Sequence, residues 1–199
     1  FIPFVQWVLR QHCIYTRERS TIESTDFSFT RFFVPYLCDY KGWAVFADCD
    51  MIACCDPYML LTEAQELGNR AVYVVQHDYI PKHTKKFLNQ QQTTYPRKNW
   101  SSVMIFNNEK CKMLTTEYIN SASGLELHRF LWLPDEEIGS LPVVWNWLVD
   151  EYPHNSQAKM LHYTNGGPWF SDYRNTDHAE DWYNEYKSML EPIVGTKLC

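Results

Sequence analysis

Two aspartates one residue apart, Asp48 and Asp50, are the residues of this sequence best placed to do chemistry. They end the stretch GWAVFADCD, and a third carboxylate, Asp56, follows a few positions later. Mg²⁺ and Mn²⁺ prefer oxygen ligands and often take one or two carboxylates together with substrate phosphates. The pair can therefore hold a divalent cation against a diphosphate. The same spacing also occurs by chance in solvated loops, so the spacing alone leaves both interpretations open.

The apolar run Trp43–Ala47 before the pair predicts a short strand. Because the run lacks polar alternation, we expect the strand to be covered on both faces of a sheet. The aspartates would then lie at its C-terminal end. Open α/β sheets bind their ligands in the crevice beyond these strand ends, so the predicted position fits a binding site.

A second candidate group lies in the segment LHYTNGGPWF, residues 161–170. His162 ends a predicted strand and offers an imidazole ligand. Gly166 and Gly167 follow it in a turn where backbone N–H groups can approach an anion closely. Each feature alone is typical of a structural histidine or a simple turn, but together with the aspartate pair they favour a metal and anion site.

Short β-rich segments alternate with helical patterns, which predicts an α/β domain with a largely parallel or mixed sheet. Further strands are predicted at 71–76, 102–106 and 159–162, and helices at 29–40, 108–119, 125–133, 143–149 and 177–190. Thr25 or Asp26 would cap the first helix, and Pro35 predicts a kink within it. Residues 81–99 are basic and Gln-rich without periodicity, which is typical of a functional or mobile loop.

Length and composition limit the class of protein. The 199 residues are 45% hydrophobic, which suffices for one substantial core, so we expect a single domain over residues 1–199. The formal net charge of −6 argues against a nucleic-acid partner, because such proteins concentrate Lys and Arg.

Seven cysteines are present without any C-x-x-C spacing, which excludes the paired patterns of zinc knuckles and thioredoxin-like sites. Reduced thiols predict a cytoplasmic location. No apolar stretch reaches the roughly 18–20 residues that cross a bilayer, and no secretory signal pattern is found. The chain begins at Phe1 rather than Met, which suggests a fragment.

Five motifs in order carry a resemblance to a known family. The chain resembles glycosyltransferase family 8 and related GT-A enzymes of an uncharacterised bacterial group over roughly residues 25–170. No single motif is specific, whereas the order of all five is fairly specific. The motifs are FTRFFVP (29–35), DCD (48–50) with Asp56-Pro57, NWSSVMIFNN (99–108), LPVVWNWL (141–148) and the block from His162 to Trp169.

The resemblance implies a GT-A fold, an α/β nucleotide-diphospho-sugar transferase domain with a mixed sheet flanked by helices. It implies a retaining, metal-dependent enzyme that moves a hexose from a nucleotide diphosphate sugar, a UDP-sugar, to a glycan or other acceptor. Asp48, Asp50 and His162 match the ligands of Mn²⁺ or Mg²⁺. The donor-binding residues would be Arg31, Asp48, Asp50, Ser102, Gly166 and Gly167, and Glu126 and Asn107 are placed as catalytic residues.

Two departures from the family pattern affect these expectations. The family shows H-x-x-G-x-x-K-P-W, whereas the sequence after His162 is one residue shorter and has Gly167 in place of the lysine. Lys159, Arg174 or a basic residue of the 82–98 loop would have to supply that cation.

The second departure lies at the start of the chain. Nothing before Arg31 matches the uracil-binding first strand of the family, so an N-terminally truncated domain is expected. A missing strand would expose a sheet edge and favour a homodimer.

Two alternatives remain open. A degenerate or fragmentary transferase domain would bind a glycan or a partner without turnover. A phosphatase of the haloacid-dehalogenase type also carries D-x-D after an apolar strand, but Ile52 stands where that motif has a Thr or Val. No later Gly-Asp-x-x-x-Asp arrangement is found for its metal.

Overall fold

The computed structural model describes residues 8–18, 28–82, 85–86, 90–91 and 95–190. Its main sheet has four strands in the order β1-β6-β3-β7. These strands are β1 (Trp43–Ala47), β3 (Val72–Val74), β6 (Val103–Asn107) and β7 (Ile138–Ser140). β6 pairs antiparallel with β1 and β3, and β3 pairs parallel with β7. The predicted mixed sheet is therefore confirmed.

A second sheet has three strands in the order β2-β9-β8. They are β2 (Met51–Ala53), β8 (Trp147–Leu148) and β9 (Met160–His162), with β9 antiparallel to β2 and parallel to β8. Residues 48–50 alone separate β1 from β2. The chain thus passes from the first sheet to the second at the two aspartates.

The prediction that Trp43–Ala47 is covered on both faces is wrong. β1 lies at an edge of the main sheet, and Val45 is 40% exposed. The strands covered on both faces are β3 and β6, whose residues are all buried. An apolar run indicates a strand, but it does not indicate whether the strand lies at the edge or in the centre of its sheet.

Both faces of β6 are packed by apolar residues. On one face, Met104 and Phe106 pack with the aromatic cluster of Phe29, Phe32 and Phe33. On the other, Val103 and Ile105 pack with Tyr73, Leu60, Ala64 and Trp145. Side chains alternate between the two faces of a strand, so one five-residue strand connects both halves of the core.

The helices are shorter than the sequence patterns predict. Residues 8–11 are helical (α1), and a 3₁₀ turn at Thr30–Phe33 continues into α2 (Val34–Leu37), so the chain changes helix type beside Pro35. The caps predicted at Thr25 or Asp26 lie outside the described residues. The remaining helices are α3 (Tyr58–Glu66), α4 (Thr116–Ser121), α5 (Gly124–His128) and α6 (Ala179–Leu190).

Local signals explain where the predicted helices fail. The helix expected at 108–119 is reduced to a 3₁₀ turn and α4, because the Thr115 side chain caps a new start by accepting from Tyr118 N–H. The helix expected at 125–133 ends at His128, and Phe130 has a φ of 57°. The segment 143–149 forms a 3₁₀ turn and then β8.

A third sheet has two short strands. Strands β4 (Lys85–Lys86) and β5 (Gln90–Gln91) pair antiparallel within the long segment expected to be a loop. Over the residues that the structure describes, we find no helix with the length and hydropathy needed to span a bilayer.

Candidate metal and donor site

The structure brings Asp48, Asp50 and His162 together at the passage between the two sheets. One ligand atom from each side chain lies within 4.8 Å of the others. Strand pairing positions them: β9 places His162 opposite Met51, the residue after Asp50, and Tyr163 N–H donates to the Asp50 carbonyl over 3.0 Å. Residues distant in sequence thus meet through the β2–β9 ladder.

His162 is held in one orientation by a buried amide. Its Nδ1 lies 2.9 Å from Oδ1 of Asn146, and the Asn146 amide nitrogen donates to Ser102 Oγ over 2.8 Å. Because the amide oxygen can only accept, His162 donates from Nδ1, and in the neutral ring the lone pair is then on Nε2. Nε2 lies 3.5 Å from Asp50 Oδ1. The imidazole therefore presents its metal-binding nitrogen to the carboxylate pair, as a hydrogen-bonded ligand histidine does.

Arg31 is the basic residue of this site. Its guanidinium forms a two-pronged ion pair with Asp48, with nitrogen–oxygen distances of 2.8 and 3.3 Å. It also donates to the carbonyls of Ser28 and Ser101 over 3.0 and 2.8 Å, and it is 8% exposed. The Arg31 charge is thus fixed by four contacts, in the planar geometry that suits carboxylate and phosphate groups.

The two carboxylates are in different electrostatic environments. Burial raises the pKa of Asp48, against the lowering effect of Arg31 and with a further rise from Asp50. Burial raises the pKa of Asp50 as well, but when His162 is protonated its charge and hydrogen bond, together with a backbone hydrogen bond and Arg31, outweigh burial and lower the Asp50 pKa. Two acidic side chains confined together repel one another, and a divalent cation between them would relieve this repulsion.

Ser101 and Ser102 also lie at this end of the sheet. The Ser102 carbonyl accepts from Asp48 N–H over 2.9 Å, and the Ser102 hydroxyl donates to the Asn99 carbonyl over 2.6 Å. The Ser101 hydroxyl lies 2.7 Å from Nδ1 of His128, whose pKa burial lowers to about 3 with the help of the Arg31 and Arg17 charges. His128 is therefore a neutral partner at physiological pH.

A second buried histidine, His77, lies near the site. Its Nδ1 is 2.7 Å from the Tyr152 hydroxyl, whereas its buried Nε2 has no hydrogen-bond partner among the described residues. Burial lowers the pKa of His77 to about 3, and the charge of His162 adds to the effect. His77 is therefore a neutral imidazole whose Nε2 makes no hydrogen bond among the described residues.

The antiparallel arrangement does not bring Asn107 to this site. Asn107 pairs with Trp43 at the start of β1, whereas Asp48 follows the end of that strand. Four residues at ~3.4 Å each separate the two ends by roughly 14 Å. The Asn107 amide instead donates to Asn69 over 2.7 Å. The pairing thus places Asn107, which the resemblance implied to be catalytic, at the opposite end of β1 from Asp48.

Two other acidic residues have local structural roles. Glu126 completes the capping box of α5, where its carboxylate accepts from Ser123 N–H over 3.1 Å. Asp56 accepts from Tyr58 N–H over 2.9 Å at the start of α3. Neither belongs to the cluster around Asp48 among the described residues.

The glycine pair packs against aromatic rings. A Cβ on Gly166, whose φ is +138°, would lie 2.8 Å from the Tyr173 ring, and one on Gly167 would lie 2.0 Å from the Trp169 ring. Larger residues therefore cannot replace either glycine without a shift of these rings. Of the cations suggested to substitute for the missing lysine, Lys159 is already paired with Glu63 over 3.1 Å.

Asn146 is the site residue that sequence reasoning missed. It stands in the apolar run VVWNWL and is fully buried. A buried amide needs hydrogen-bond partners, so a single polar residue within such a run was a usable signal.

The donor set fits a hard or borderline divalent cation. It comprises two carboxylates and one imidazole nitrogen. The Asp48 oxygens that contact Arg31 keep further lone pairs, because an ionised carboxylate offers about four acceptor positions. Mn²⁺ or Mg²⁺ is therefore compatible with these residues.

Two solved glycosyltransferases share this architecture. The apo structure of the bifunctional glycosyltransferase WbbM matches 86% of this chain with a TM-score of 0.52 and 16% identity. The galactosyltransferase LgtC, in complex with donor and acceptor sugar analogs, matches 81% with a TM-score of 0.50 and 12% identity. The chain thus has the predicted GT-A fold. It spans 36% of the WbbM chain and 66% of the LgtC chain.

A closer relative identifies the family. Protein CDI of Arabidopsis thaliana is 47% identical over 195 residues, which cover 92% of this chain and 73% of that protein. The chain therefore belongs to the family of Protein CDI. No protein-family profile matches the sequence. Since this relative is a plant protein, the expected bacterial group is not confirmed, and neither is membership of glycosyltransferase family 8.

Proposed function

We propose that this protein is a metal-dependent glycosyltransferase that moves a hexose from a UDP-sugar to a glycan or other acceptor with retention of configuration. The observation that carries the proposal is the convergence of Asp48, Asp50 and His162 at a sheet end within a GT-A fold. Mn²⁺ or Mg²⁺ bound there would neutralise charge on the diphosphate as the sugar–phosphate bond breaks.

The surrounding residues have distinct roles in this proposal. Asn146 keeps His162 in the tautomer that offers Nε2, and Arg31 fixes Asp48 and adds positive charge beside the diphosphate. Ser102 positions both Asp48 and Asn146 through its backbone and hydroxyl. The Gly166 N–H donates to the Tyr163 carbonyl over 2.9 Å, so in this proposal the Gly167 N–H is the one of the glycine pair that would approach the phosphates.

The test is a thermal melt with UDP in the presence of Mn²⁺ and then of EDTA. A ligand that binds only the native state adds RT ln(1 + [L]/Kd) to its stability, which is about 2.7 kcal/mol at ~100 Kd. We expect a Mn²⁺-dependent rise in melting temperature that Asp50→Asn abolishes. Asp56→Asn is the matched control, because asparagine caps a helix as well as aspartate does and should leave the rise unchanged.

An assay of sugar release or transfer separates turnover from binding. Metal-dependent UDP binding without turnover of any UDP-sugar would favour the degenerate binding domain. The absence of any nucleotide effect in the melt would contradict the donor site itself. The fold gives no support to the phosphatase alternative, because β1 pairs antiparallel and the architecture is that of GT-A enzymes.

The catalytic role of Glu126 stays a prediction, and Glu126→Gln tests it. Glutamine can replace glutamate in a capping box, so α5 should keep its start while the acidic function is lost. A transfer rate equal to that of the unmodified protein would exclude Glu126 from the chemical step.

Three broader expectations also remain proposals. A homodimer would form if the edge of β1 that is unpaired among the described residues pairs with a second copy, which analytical ultracentrifugation tests. The cytoplasmic location and the single-domain organisation stay predictions. The six cysteines that lie in the described residues are all free.

A further inference from the structure

A second group of potential metal ligands lies away from the donor site. One ligand atom each from His154, Asp177 and His178 lies within 4.8 Å of the others. His154 comes from the segment between β8 and β9, and the other two residues directly precede α6. The group therefore joins the segment before β9 to the start of the last described helix.

The orientation of His178 is fixed by a carboxylate. Its Nδ1 lies 2.7 Å from Asp181 Oδ2, and its side chain is 6% exposed. Nδ1–H donates to Asp181, so Nε2 carries the lone pair in the neutral imidazole. This arrangement of carboxylate, histidine and open nitrogen is the one found in metal-binding histidines.

The open nitrogen of His178 points toward another acceptor. Nε2 is buried, has no hydrogen-bond partner among the described residues, and lies 3.6 Å from Asp177 Oδ2. Two lone pairs that face one another in a buried site repel, whereas a cation between them would be attracted to both. Two ligand atoms on a tetrahedral Zn²⁺ with bonds of about 2.0–2.1 Å lie roughly 3.4 Å apart, so the observed separation is close to that of a ligand pair.

His154 supplies the third ligand, and its exposed side chain can rotate to meet a metal ion. Its Nδ1 lies 2.7 Å from Asp177 Oδ1, and its ring stacks on that of His178 with centroids 4.4 Å apart. The His154 side chain is 64% exposed, so it can turn without disturbing the core. Metal ligation would replace the hydrogen bond to Asp177, since a ligating imidazole nitrogen must be deprotonated.

The backbone of the group is also fixed. Asp150 accepts from Asp177 N–H over 3.1 Å and from the Thr176 hydroxyl. The Tyr163 hydroxyl donates to the His178 carbonyl over 2.8 Å. Asp177 and His178 are thus held in place by contacts that do not involve their ligand atoms.

We propose that His154, Asp177 and His178 form a second divalent-cation site of the kind that takes Zn²⁺. Two imidazoles and one carboxylate suit Zn²⁺ better than Mg²⁺ or Ca²⁺, which prefer all-oxygen sites. Three protein ligands leave a fourth position for water. The bound ion would tie the segment that precedes β9 to α6, and β9 carries His162.

The test is calorimetric titration of Zn²⁺ into chelator-treated, reduced protein that carries Asp50→Asn, which removes a ligand of the donor site. We expect one equivalent to bind and the melting temperature to rise. His154→Ala should weaken binding about tenfold or more, and because this residue is exposed the variant should still fold. His12→Ala, an exposed histidine outside both groups, is the matched control and should bind as the parent does.

Two further variants keep the test specific. His178→Gln should abolish Zn²⁺ binding if the variant folds. Cys54 is close enough to Asp181 to feel its charge, so Cys54→Ser tests whether this thiol is a ligand. We expect this variant to bind Zn²⁺ as the parent does. Zn²⁺ binding that His154→Ala and Asp177→Asn leave unchanged would overturn the proposal, and so would the absence of binding at micromolar Zn²⁺.

Discussion

The two groups of ligands differ mainly in what surrounds them. In the donor site, His162 and Arg31 are less than 10% exposed, and Asn146 behind them is fully buried. In the second group, His154 is 64% exposed and Asp181, which orients His178, is 52% exposed. The ligand chemistry is similar and each group has one buried histidine, but in the second group the ligand His154 and the orienting Asp181 are more than half exposed.

The difference in exposure determines how much a substitution in each group should change the stability of the protein. A buried charged group that loses its partner costs several kcal/mol, whereas an exposed ion pair contributes about 0–1 kcal/mol. Substitutions around the donor site should therefore change stability and ligand binding together. Substitutions of His154 and Asp181 in the second group should change metal binding with little effect on the stability of the metal-free protein.

The largest expected effect comes from Arg31→Met. The substitution leaves Asp48 without its ion pair and beside Asp50, so we expect the free energy of unfolding to fall by about 3 kcal/mol. Urea denaturation of the metal-free protein measures it. His154→Ala should cost less than about 1 kcal/mol in the same experiment. Equal losses for the two variants would remove the distinction between the two groups.

Asn146 tests how the donor site orients its histidine. Asn146→Ala removes the acceptor for His162 Nδ1–H, and we expect Mn²⁺-dependent UDP binding to weaken about 10- to 100-fold. Asn146→Asp keeps an acceptor at that position and should weaken binding less. Calorimetric titration of both variants measures the order, and the reverse order would contradict the orienting role.

The buried residue His77 should make the stability of the protein depend on pH. Its pKa is 6.5 when exposed and about 3 in the folded protein, so the unfolded chain takes up a proton between these values. The stability that His77 contributes is present above about pH 6.5 and is lost progressively as the pH falls toward 3, by up to ~1.4 kcal/mol per pH unit. His77→Gln should flatten the urea-derived stability curve over that range. Parallel curves for the two proteins would contradict the assignment.

The smallest expected effect is that of Asp181→Ala on the second group. Asp181 orients His178 but is half exposed, so we expect Zn²⁺ affinity to fall by about tenfold, the lower end for a residue that orients a ligand. Mn²⁺-dependent UDP binding should stay unchanged. A larger loss of Zn²⁺ affinity than that of His154→Ala would mean that Asp181 is itself a ligand.

The sequence predicted those parts of the fold that depend on local pattern. The apolar runs that end before Asp48 and at His162 are strands, and the aspartate pair lies at a strand end as expected. The direction in which strands pair is not a local property. An antiparallel β6 brings Ser102 to the Asp48 end of the sheet and takes Asn107 to the other, and no feature of either segment alone specifies that direction.

The burial of each segment is the second property that the local sequence pattern did not predict. The run Trp43–Ala47 forms an edge strand, while α3 and the Asn146 contact were not predicted. Helix lengths failed for a related reason, because a cap at Thr115 divides one predicted helix and the positive φ of Phe130 follows the early end of another.

The three-residue passage from β1 to β2 means that one ion at the donor site would connect two sheets. Asp48 follows a strand of the main sheet, whereas His162 belongs to β9 in the second. Occupancy should therefore slow the separation of the two sheets, and backbone amides of β2 and β9 that are remote from the nucleotide should exchange with deuterium more slowly. The exchange rate of the second sheet would therefore indicate whether an ion occupies the donor site.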